Sequence, residues 1–153
     1  MKNENSYIFL AHGLTRAILR SQPIGESYLN IFKTIFPVAI LDPYDSSLNI
    51  DQQYLQMVCD TIYEFDAFEV GGASCYSACI VAQALAFLHG ISSEMVIGIC
   101  KQDEKIVGHA WIELVGNQHK RTIINPGRLN LREFREFSRL NPERVVAEWA
   151  SSL

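Results

Sequence analysis

Three side chains in this sequence have the types needed for nucleophilic attack on a carbonyl: Cys75, His109 and Asn125. Ser74 is a good N-cap for the apolar run that follows it, so Cys75 falls in the first turn of a helix. Unpaired backbone N–H groups and the positive end of the helix dipole favour a thiolate there. The same N–H groups can hold an oxyanion. The competing reading is a buried structural thiol, a common fate of free cysteine. Cys79, one turn further along the same apolar run, fits that packing reading better.

The segment Gly108-His109-Ala110-Trp111-Ile112-Glu113 reads as a strand. His109, Trp111 and Glu113 then share one face, and Ala110, Ile112 and Leu114 the other. A face of His, Trp and Glu is an odd choice for an ordinary core, although a half-exposed strand would also carry it. An imidazole titrates near neutral pH, so His109 can serve as a base. Asn125 ends the next strand, just before Pro126, and adjacent antiparallel strands can bring it beside His109. An amide oxygen there would accept the ring N–H and fix the tautomer of the base. The alternative is a turn residue, since Asn-Pro breaks strands. Glu113 is the second candidate for the orienting role.

The elements that must position these groups follow from hydrophobic spacing. Residues 6–20, 28–35 and 51–65 carry apolar residues at helical intervals, with Pro37 ending or kinking the second helix. Residues 42–47 form a loop by composition, and the character changes around Gly71-Gly72. Residues 75–89 are an apolar helix closed by Gly90, and a helix apolar almost all round is a buried one. Strands are expected at 94–100, 106–115 and 121–125, with turns at 101–105 and 116–119. Residues 131–140 read as helix; residues 145–149 as strand or a last helical turn. Helices followed by an antiparallel sheet make an α+β domain.

Composition narrows the function. The chain of 153 residues is expected to form a single domain over 1–153. Its net charge of −4 argues against nucleic acid as the main partner. No run reaches the ~20 apolar residues of a membrane span, and the first residues lack the pattern of a secretory signal. A cytoplasmic location is the expectation, with Cys59, Cys75, Cys79 and Cys100 as free thiols. Cys75, Cys79, Cys100, His109 and His119 suffice for zinc by count, but a Cys-x3-Cys on a helix without a second close pair is a poor zinc pattern. No cofactor or metal is expected.

The Cys-led apolar helix, the strand Val96-Ile97-Gly98-Ile99 and the strand His109-Ala110-Trp111-Ile112-Glu113 together resemble the transglutaminase-like cysteine hydrolases. Within that superfamily they look most like the leader peptidases of lasso-peptide biosynthesis. The resemblance runs from Gly71 to Asn125. It implies a papain-like arrangement of a Cys-bearing helix on an antiparallel sheet, with Cys75 as nucleophile and His109 as general base. It also implies a third residue, usually Asp, where this chain has Asn125. The reaction implied is leader cleavage from a ribosomally made precursor peptide, with a separate leader-binding protein and a cyclase of the same pathway as the candidate partners. Aromatic residues among Tyr28, Phe32, Tyr44 and Tyr54 are candidates for such contacts. Two alternatives are acyl transfer to an amine and an inert peptide-binding module.

Overall fold

The apolar run after Cys75 organises everything around it. A computed structural model describes residues 2–41, 50–66, 75–115 and 121–153. In it, helix α4 spans Cys75–Leu88, and Ser77 through Gln83 are all buried. Gly90, at φ 71°, takes the left-handed conformation that ends the helix, and the Ile91 N–H reaches back to the Ala86 carbonyl at 2.8 Å. Three helices pack against α4: α1 (Lys2–Ser21), α2 (Ile24–Leu41) and α3 (Gln52–Asp66). Helix α2 continues past Pro37, which stands one turn from its end and so removes only a bond in the last turns.

The other side of α4 faces a four-stranded antiparallel sheet of order β3-β2-β1-β4. Its strands are β1 (Ser93–Gln102), β2 (Lys105–Val115), β3 (Arg121–Ile124) and β4 (Arg135–Leu140). Asp103 and Glu104, both at positive φ, close the β1–β2 hairpin. Its register sets Gly98 opposite His109 and Val96 opposite Trp111. Ala110, Ile112 and Leu114 join the core with Met95, as the alternation expects. The α+β architecture is the one read from the sequence.

One expectation changes, and one open choice falls to its helical alternative. Residues 131–140 are a short 3-10 turn (Leu131–Glu133) followed by β4, not a helix. Apolar residues at intervals of three mimic a helix there, but pairing with β1 satisfies the backbone and wins. Residues 145–149 lie in helix α5 (Pro142–Ser151), whose cap is the Asn141 side chain accepting the Arg144 N–H at 2.9 Å. Of the aromatic residues considered for partner contacts, Tyr28 and Phe32 are buried and Tyr54 is half-buried; Tyr44 lies outside the described residues. No helix among the described residues is long and apolar enough to cross a membrane.

Gln83, which interrupts the apolar run, is a buried polar node. Its Oε1 accepts from Tyr28 Oη at 2.8 Å, and its Nε2 donates to the carbonyls of Ser93 and Leu140 at 3.4 and 3.3 Å. It thereby ties α2, α4, β1 and β4 together. Removing one partner of a buried hydrogen bond strands the other. Tyr28→Phe is therefore expected to destabilise the fold by about 1–3 kcal/mol. Urea unfolding checks this, and an unchanged midpoint would remove Gln83 from this role.

Candidate active site

Strand β3 is four residues long against eleven in β2, and its early end opens the site. Ile112 pairs with Ile124, so continued pairing would set Pro126 opposite Ala110. Proline cannot extend the ladder as an ordinary residue would, and the chain turns away. The Ala110 N–H instead donates to the Sγ of Cys75 at 3.3 Å. The thiol therefore lies against the peptide that joins His109 to Ala110. Ser74 and the preceding residues lie outside the described residues, so the expected cap does too.

Two effects compete at the sulfur. Burial raises the Cys75 pKa above its ordinary value and is the larger. Backbone N–H groups of Ala110, Tyr76 and Cys75 itself pull it down. The expectation of a thiolate favoured by the helix start is thus corrected in sign: the donors are present, but desolvation outweighs them. Cys75 rests as a thiol.

His109 is buried, and its Nε2 lies 2.8 Å from Asn125 Oδ1. Asn125 Nδ2 donates to the Leu129 carbonyl at 2.7 Å, which fixes which end of the amide is oxygen. An amide oxygen only accepts, so Nε2 carries the ring proton. The lone pair, and hence the basic nitrogen, is Nδ1. Burial lowers the His109 pKa, and the bond to Asn125 opposes it less strongly. The ring is therefore neutral at neutral pH.

Aromatic rings hold the imidazole in place. Trp111 stacks on it with centroids 6.2 Å apart, and Phe134 approaches at 5.4 Å. Gly98 explains how they fit. A Cβ there would stand 2.8 Å from the Trp111 ring and 2.9 Å from the Phe134 Cβ. The glycine of the Val-Ile-Gly-Ile strand is a gap for these two side chains.

Glu113 shares the face of His109, yet it does not take the orienting role. Its carboxylate pairs with Arg139 at 2.8 Å and Arg121 at 3.0 Å, and Asn125 occupies His109 Nε2. Cys59 and Cys79 are buried in the core, their thiols raised by desolvation, Cys59 to about 12. All four cysteines are free. Among the described residues no three His, Cys, Asp or Glu side chains gather as metal ligands, and His119 lies outside those residues.

Sequence reasoning missed Phe134, Leu129 and Gln56. Phe134 was hidden by the helical reading of 131–140, and Leu129 contributes only a carbonyl. Gln56 is 69 residues from Asn125 in sequence, and its amide meets the Asn125 main chain. An open cleft of about 600 Å³ lies against Asn125, with Gln56, Asp60, Ile123 and Arg128 among its walls.

Gly98→Ala should force Trp111 and Phe134 apart. Overpacking of this kind costs about 1–3 kcal/mol. A thermal melt should show a lowered Tm, and a Tm equal to wild type would mean that both rings can move freely.

A model of the transglutaminase-like superfamily matches residues 34–138, more than half of the chain. The match includes Cys75, His109, Asn125 and all four strands except the last two residues of β4. Comparison with curated proteins and with solved structures finds no match to the chain. On the extent of the family match, the chain belongs to the transglutaminase-like superfamily.

Proposed function

We propose that the chain is a cysteine peptidase that cleaves the leader from a ribosomally synthesised precursor peptide, as in lasso-peptide maturation. Membership of a superfamily of cysteine-based catalytic domains supports the chemistry. One observation carries the assignment of roles. Asn125 holds His109 through Nε2, which leaves Nδ1 as the base beside the peptide against which the Cys75 thiol rests. Leader cleavage itself rests on the resemblance of the Cys-led helix and the His-Ala-Trp-Ile-Glu strand.

In this reading the resting pair is neutral, thiol and imidazole. As Cys75 Sγ bonds to the scissile carbonyl carbon, its proton moves to His109 Nδ1. Backbone N–H groups at the start of α4 face the negative charge that develops on the oxygen. The tetrahedral adduct collapses, the C–N bond breaks, and His109 returns the proton to the leaving amine. Water, deprotonated by His109, then attacks the thioester and releases Cys75 as a thiol. Asn125 orients the imidazole but brings no charge to the imidazolium. A leader peptide is flexible, so a separate leader-binding protein, with a cyclase alongside it in the pathway, would raise its local concentration at Cys75.

Cys75→Ala should abolish cleavage of candidate precursor peptides in the presence of the leader-binding protein, while Cys79→Ala retains it. The masses of the products check both, and also show whether water or an amine takes the acyl group. An active Cys75→Ala variant would end the assignment.

The pH dependence has a definite sign. His109 must be neutral to act, and burial lowers its pKa, so the acid limb of kcat/KM should lie below its ordinary value of 6.5. The thiol is raised, so the plateau should extend above 9.0 before Cys75 ionises. A narrow bell centred between those two values, with an acid limb above 6.5, would contradict the neutral pair.

A further inference from the structure

The base is only as well placed as Asn125, and Asn125 lies beyond the end of its own strand. Strand β3 stops at Ile124, and Pro126 follows. A glutamine of α3 stands in for the missing ladder. The Asn125 N–H donates to Gln56 Oε1 at 2.9 Å, and Gln56 Nε2 donates to the Asn125 carbonyl at 3.0 Å. Gln56 Nε2 also donates to Asp60 Oδ1 at 3.0 Å, which fixes the orientation of the Gln56 amide. The other Asp60 oxygen holds Arg128 at 2.9 Å.

Arg128 belongs to a strained turn. Gly127 at φ 70° and Arg128 at φ 53° are both left-handed, the latter without glycine's freedom. That turn brings the Leu129 carbonyl to Asn125 Nδ2. Both constraints on the Asn125 amide, its main chain and the carbonyl facing its Nδ2, therefore run back to Gln56 and Asp60 on one face of α3.

We infer that Gln56 is a positioning residue for the reaction, acting through Asn125 to hold His109 with its Nδ1 free. The inference rests on the proposed role of His109 as base. A purely structural role has a reference in the same helix: Gln52 Nε2 donates to the Ile123 carbonyl at 3.0 Å, one turn earlier, and touches the same edge strand without bonding to Asn125.

The experiment is a ring titration of His109 by NMR in the full-length, ¹⁵N-histidine-labelled chain, with no substrate. The bond to Asn125 favours the protonated ring, so weakening it lowers the midpoint. Gln56→Leu should lower the His109 midpoint by up to about one pH unit and speed exchange of the Nε2 proton with water. Gln52→Leu should move neither. Gln56→Glu keeps the acceptor for the Asn125 N–H but adds a charge that itself raises a nearby imidazole, so it is read by Nε2 proton exchange, which should fall between, and it carries the test if the leucine variant does not fold. Wild-type midpoint and exchange in folded Gln56 variants would overturn the inference while leaving His109 as base. A wild-type ring whose Nε2 proton is unprotected would overturn the assignment of Nδ1 as base, and the inference with it.

Discussion

The side-chain amide of Asn125 decides what His109 can do. Its nitrogen is committed to the Leu129 carbonyl, so its oxygen must face the ring. That single orientation protonates Nε2 and leaves the lone pair on Nδ1. A carboxylate in the same place would also accept the ring proton, but it would add a charge that stabilises imidazolium. The neutral amide adds no charge; its hydrogen bond favours the protonated ring less than burial disfavours it, and the His109 pKa falls. The same burial raises the Cys75 thiol. Both partners are pushed towards their uncharged forms, which suits a base that takes the proton during attack and not before it.

This pairing depends on where one short strand ends. Strand β3 must reach far enough to deliver Asn125 beside His109, and stop soon enough to leave the Ala110 N–H for Cys75. Pro126 sets that limit. Helix α4 supplies the sulfur, and its buried length anchors the thiol against the sheet. Gly98 leaves space for Trp111 and Phe134 to close on the imidazole. The ion pairs of Glu113 with Arg121 and Arg139 tie the strand that bears His109 to β3 and β4.

Much of this was legible in the sequence because it is local. The apolar run after Cys75 could only be a buried helix, and the alternation around His109 fixed a strand with known faces. The pairing of His109 with Asn125 followed from adjacent strands. What was illegible depends on long-range contacts or on a balance of energies. Residues 131–140 have helical spacing but are captured by the edge of β1. Gln56 lies 69 residues from Asn125, and only the fold shows that its amide bonds the Asn125 main chain where β3 has ended. The sign of the Cys75 shift could not be read from a helix start, because desolvation and N–H donation oppose each other and their sum depends on burial.

In the proposed reaction Cys75 carries the acyl group during turnover. The direct measurement is a rapid acid quench of the chain with a candidate precursor and its leader-binding protein, followed by peptide mapping by mass. The expected product is the leader fragment joined through its C-terminal carbonyl to the peptide containing Cys75. Its absence at every time during productive cleavage, or an adduct on Cys59, Cys79 or Cys100 instead, would contradict it.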